Sequence, residues 1–138
     1  MGRLVMTATT MLVGITLHAL TGCAARDSAS PPLPGAAASD VLDTYLRAFV
    51  AGDCATAHAA ATPTLAADPS ELCGEVKVSA FSVREDPATP SPNKVVYMTT
   101  LTTNGSSDGT IARGETVWFY GLQREGGQWR VVSGGSGP

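Results

Sequence analysis

The chain has 138 residues, a net charge of -3, and 43% hydrophobic against 15% charged residues. This leaves room for one ordinary domain and excludes a highly charged disordered chain or a polytopic membrane protein. With 9 Lys plus Arg against 12 Asp plus Glu, no surplus positive charge exists to neutralise phosphates, so nucleic acid is not an expected partner. Three cysteines and two histidines are too few for most metal sites, and neither a metal nor a cofactor is expected.

Residues 1–3 make a short basic start, and residues 4–20 form an apolar run diluted by threonine that has no acidic residue, lysine or arginine. That is the layout of a signal peptide; for a permanent span the run is short and weakened by Gly14 and its threonines. Leu20-Thr21-Gly22-Cys23 closes it, with a large aliphatic residue three before the cysteine and small residues directly before it. The four residues resemble the lipobox of bacterial lipoproteins. The resemblance implies cleavage between Gly22 and Cys23 and a diacylglycerol on the Cys23 sulfur, usually with a further acyl chain on the new amino group. Two or three acyl chains, at roughly 0.8 kcal/mol per buried CH2, exceed what stable anchoring needs. The expected address is the cell membrane, lipid-anchored, on its extracytoplasmic face.

Residues 23–39 follow as an Ala/Pro/Ser tether with Leu33 as its one large apolar residue. Such a segment buries too little surface to offset its ordering entropy, and Pro31, Pro32 and Pro34 stiffen it toward polyproline II.

The folded domain is expected over residues 40–134. Ser39 or Asp40 is placed to cap a first helix whose apolar residues Val41, Leu42, Tyr45, Leu46, Phe49 and Val50 share one face, with Gly52 at its end. Asp53 caps an alanine-rich second helix over residues 54–61, which Pro63 stops. Asp68-Pro69-Ser70-Glu71 signals a very short third helix, with Asp as cap and Glu at its third position.

After Gly74 the period becomes two. Val76, Val78 and Ala80 alternate with Lys77, Ser79 and Phe81 in a first strand, and a Pro-rich loop over residues 87–92 separates it from a second over residues 94–103. Asn104-Gly105 and Asp108-Gly109 punctuate the next connection. Residues 115–124, Gly126-Gly127 and residues 128–133 read as a hairpin. With Gly126-Gly127 as the turn, Leu122 faces Val131 and Arg124 faces Trp129, which sets Trp118, Tyr120, Leu122, Trp129 and Val131 on one face of the sheet. Four strands are counted, and residues 135–138 are left as a flexible tail.

Setting Cys23 aside leaves Cys54 and Cys73, an even number for an oxidising compartment. A disulfide between them closes a loop of roughly 20 residues, for roughly 3 kcal/mol of chain entropy. The alternative, a redox or metal pair, lacks both a Cys-x-x-Cys spacing and companion ligands.

An amphipathic helix, a second helix crossing it and an antiparallel meander ending in Trp118-Phe119-Tyr120 and Trp129-Arg130-Val131-Val132 resemble the nuclear-transport-factor-2-like, or cystatin-like, superfamily. The small domains of many actinobacterial lipoproteins share the pattern Tyr-x-x-Ala-x-x-x-Gly-Asp, matched by residues 45–53. The resemblance implies an α+β fold with N-terminal helices packed on a curved antiparallel meander, a cystatin-like cone whose mouth can hold a ligand. Because that superfamily includes isomerases and cyclases as well as binding modules, the fold alone does not choose a function.

No catalytic residue is assigned from the sequence. His58 is a solitary helical imidazole, Asp53 is explained as a cap, and Gly134-Gly135-Ser136-Gly137 lacks a strand-to-helix elbow. The expectation is a non-catalytic binding or structural domain held by lipid outside the membrane, with an envelope protein, a polymer or a small apolar ligand as partner. Tyr45, Trp118, Tyr120 and Trp129 are the candidate pocket residues. The alternative is a small pocket enzyme of the isomerase or dehydratase kind using Tyr45 and a carboxylate.

Overall fold

A computed structural model describes residues 30–68, 71–85 and 91–137. The expected signal peptide, Cys23, the first part of the expected tether, Pro69-Ser70 and most of the Pro-rich loop lie outside the described residues. Helices come first and a four-stranded open sheet follows, all antiparallel in the order β1-β2-β3-β4, which makes the fold α+β. Among the described residues no helix is long and apolar enough to cross a membrane.

Helix α1 (Ala38–Ala51) buries Val41, Leu42, Tyr45, Leu46 and Phe49, the stripe expected from their spacing. Val50 instead stands 40% exposed. The helix also starts earlier than expected: Ala37 is its N-cap and no side chain caps it, so Asp40 acts within the first turn, where a carboxylate suits the helix dipole. Gly52 ends it in the left-handed conformation, with φ of 70°, as a side chain with a Cβ would do only under strain. Helix α2 (Cys54–Ala60) has the expected cap, since the Thr56 N–H donates to Asp53 Oδ1 at 3.1 Å.

The third helix is displaced from its expected place. Helix α3 (Pro63–Ala66) begins at the proline that the sequence reading takes as a stop, with the Leu65 N–H donating to the Thr62 hydroxyl at 3.4 Å. Proline at a first helical position gives up a hydrogen bond that would be unmade anyway. The cap signature at Asp68 builds no helix at Glu71 and Leu72, and Cys73–Glu75 form a turn. The Glu71 carboxylate goes into the protein instead.

Strands β1 (Val78–Glu85), β2 (Lys94–Thr103), β3 (Gly114–Glu125) and β4 (Gln128–Gly135) form the meander. Leu122 pairs with Val131 and Arg124 with Trp129, as the Gly126-Gly127 turn requires. Both turn glycines have positive φ, 56° and 80°, the conformation of a two-residue hairpin loop that follows the twist of its strands. Two bulges depart from a plain alternation. One between Val78 and Ala80 moves Phe81, rather than Ala80, onto the core side opposite Leu101. The other, at Gly121/Leu122, gives β4 an extra residue and brings Gly134 beside Tyr120 and Gly135 beside Phe119. The strand therefore continues into the segment expected to be a tail.

Helix α1 lies against β1 and β4, and Leu42, Tyr45, Leu46, Leu101, Tyr120, Leu122 and Val131 fill the space between helices and sheet at 0–1% exposure. Each fully buried side chain of this size contributes about 1.5–3 kcal/mol of transfer free energy. Beyond β4, Ala61 forms a parallel bridge to Val131, and the Thr62 N–H donates to the Val131 carbonyl at 2.9 Å. A disulfide joins Cys54 to Cys73 with their Cα atoms 5.6 Å apart, tying the start of α2 to the turn beyond α3.

Candidate functional site

Glu71 is the least expected residue of the interior, being only 8% exposed. A buried carboxylate must be hydrogen-bonded to offset its desolvation. The Tyr45 hydroxyl donates to its Oε1 at 2.9 Å, the Cys73 N–H donates to Oε2 at 3.0 Å, and His58 Nε2 lies 3.2 Å from Oε2. A carboxylate only accepts, so the imidazole proton of this contact sits on Nε2. Helix α1 supplies Tyr45, α2 supplies His58, and the disulfide holds the Cys73 amide in place. Burial first, then the neighbouring Tyr120 and Glu71, pushes the Tyr45 hydroxyl far above the ordinary tyrosine range. Burial does the same to Tyr120, whose hydroxyl has no hydrogen-bond partner among the described residues.

Glu71 also lines a cleft of about 540 Å³ between the turn after α3 and the loop joining β2 to β3. Leu72, Val76, Ile111 and Trp118 give it apolar walls, while Glu75 and Asp108 add exposed carboxylates. The loop side is well ordered by its own polar groups. The Ser106 hydroxyl donates to Asp108 Oδ1 at 2.6 Å, and the Thr110 N–H donates to the same oxygen at 3.0 Å. These bonds, the Ser106 one foremost, hold the Asp108 carboxyl down to about 2. The Ile111 N–H donates to the Ser106 hydroxyl at 2.9 Å.

The four aromatic residues proposed from the sequence occupy different places. Tyr45 and Tyr120 are core residues, 1% exposed and in edge-to-face contact with ring centroids 5.4 Å apart. Trp118 lines the cleft. Trp129 lines a separate groove of about 160 Å³ with Pro31, Leu33, Ala36, Ala59 and Arg130. Tyr45 does meet a carboxylate, although the sequence reading assigned Glu71 only to a helix start. A glutamate at a cap position and one turned inward look alike in sequence, because the donors that receive it lie 26 and 13 positions away.

Among the described residues no group of three or more His, Cys, Asp or Glu side chains is placed to hold a metal ion. No protein-family model matches the chain, and no curated protein matches it.

Proposed function

We propose that the protein is an extracytoplasmic lipoprotein, anchored through Cys23, whose domain is a binding module built as a cystatin-like cone. The observation that carries this reading is the Cys54–Cys73 disulfide, which suits an oxidising compartment and leaves Cys23, at the end of the apolar run, as the remaining cysteine. The binding site is the cleft beside Trp118. Its apolar walls and the carboxylates of Glu75 and Asp108 favour a ligand with an apolar body and a cationic group. The interior between helices and sheet is filled by side chains, so a ligand meets the domain at this open cleft.

Tyr45, Glu71 and His58 favour the second reading, a small pocket enzyme. Against it, both Glu71 oxygens are engaged by groups of the fold itself, and Tyr45 is wholly buried. The structural role accounts for all three residues.

The test is intact mass and membrane fractionation of the full chain and its Cys23→Ala variant in a bacterial host. The expected result is a wild-type species beginning at residue 23 with a diacylglyceryl mass, retained in membranes, and a variant without it. A wild-type protein that carries no lipid would overturn the reading.

A further inference from the structure

The assignment of Cys23 as the lipidated residue, on which this inference rests, leaves residues 24–29 between the anchor and the first described residue, Ser30. From position 23 to position 30 the chain spans about 25 Å at full stretch. Residues 31–36 do not lengthen that reach, because they lie along the domain. The Ala36 N–H closes a turn onto the Leu33 carbonyl at 3.1 Å, Ala36 packs against the core, and Pro31, Pro32 and Leu33 line the groove beside Trp129. The anchor thus leaves the domain near the turn end of the β3–β4 hairpin, where Trp129 pairs with Arg124.

We propose that this hairpin end rests on the lipid headgroups and that the Trp118 cleft is thereby presented away from the bilayer. The chemistry of the end suits a headgroup layer. Trp129 is half-buried, with the Arg124 guanidinium 5.2 Å from its ring centroid. Lys94 pairs with Gln123 in the adjacent register, and Arg130 donates to the Ala59 carbonyl beside the same groove. Among the described residues the carboxylates nearest these three cations are Glu125, on the same strand as Arg124, and Asp40, whose neighbour Val41 lines the groove. Glu85 lies further back: it pairs with Tyr97 and Tyr97 with Tyr120, about 16 Å from Glu125 along the strand. Indole and guanidinium groups settle at the membrane interface, and cations are drawn to anionic lipid. The cleft lies at the other end of β3: Trp118 is about 20 Å from Arg124 along the strand. There, Glu75, Asp108 and Glu115 outnumber Lys77 and Arg113.

The chain carries two tryptophans, one at each end, which makes the orientation measurable. Lipidated full-length Trp118→Phe and Trp129→Phe proteins are reconstituted in phosphatidylethanolamine/phosphatidylglycerol vesicles containing dansyl-labelled headgroups, and energy transfer from the single remaining tryptophan is read. Transfer from Trp129 is expected to exceed that from Trp118 at least threefold. Equal or reversed transfer in protein that carries lipid and floats with the vesicles would overturn the orientation and leave the anchor standing. Protein that neither carries lipid nor floats would overturn both. Because Trp118→Phe touches the core, the unmutated lipidated protein is also compared on vesicles and in detergent by amide hydrogen exchange. Slowing at residues 124–130 with no change at residues 106–111 is expected, and the opposite pattern would overturn the orientation.

Discussion

The Tyr45 hydroxyl donates to Glu71 at 2.9 Å across 26 positions of sequence, joining the first helix to the turn that precedes the sheet. The bond is buried and has a carboxylate as acceptor, so its loss should be felt in stability. Tyr45→Phe is expected to cost about 1–3 kcal/mol. A double-mutant cycle with Glu71→Ala, followed by urea denaturation, should give a coupling energy of about 1 kcal/mol or more. Additive effects would show that the pair is not energetically joined.

The tyrosines make a prediction at high pH. Burial raises the titration of Tyr45, Tyr97 and Tyr120 in the folded state, whereas the unfolded chain loses these protons near pH 10. The folded state then holds more protons than the unfolded one. The stability they confer is complete below about pH 10 and declines as pH rises above it. Tyrosinate absorbance should therefore stay low at pH 10 and rise together with loss of circular dichroism. A gradual rise in a still-folded protein would contradict this. At the acid end the sign reverses: Asp108, held down to about 2, supports its loop above the ordinary carboxylate range and loses that contribution as pH falls through about 4 toward 2.

Reduction of Cys54–Cys73, or the paired Cys54→Ser/Cys73→Ser substitution, is expected to lower stability by about 3 kcal/mol. It should also loosen the Cys73 amide that donates to Glu71. Thermal melting with and without reductant measures the first effect. Faster amide exchange at residue 73 in the reduced, still-folded protein reports the second.

Gly134 lies where a side chain would be tightly packed. A Cβ there would stand 3.0 Å from Trp118 Nε1 and 3.0 Å from Tyr120 Cε1, and the Tyr120 ring, 1% exposed, is held by the core around it. Gly134→Ala is expected to cost about 1–3 kcal/mol by overpacking. Gly121→Ala meets only the Ser133 hydroxyl group closely and should be milder, with Ser133→Ala relieving it. Denaturation midpoints of the three variants decide the order.

The hairpin register was legible because Gly126-Gly127 specifies its own turn, and pairing then follows by counting from it. The face of α1 was legible because its apolar spacing has one helical solution. The bulges were not, since the extra residue in β4 and the shift at Val78/Ala80 are set by the partner strand and the packing beneath. Pro63 shows a similar limit: the same residue stops one helix or starts the next, depending on whether Thr62 turns its hydroxyl toward Leu65. Of the candidate site, Trp118 could be named from its strand. Glu75, Asp108 and Ile111 could not, because the cleft exists only once two connections distant in sequence are brought together by the sheet.

The Ala61–Thr62 segment beside Val131 bears on how copies of this domain meet at high density. It covers part of one lateral margin of the sheet, so β1 is left as the longer unpaired margin, and there Arg84, Glu85 and a bulge interrupt its regularity. Continuous stacking of strands from molecule to molecule requires two compatible margins on each copy. Crowding should therefore leave the domains as separate units rather than seed a growing fibril.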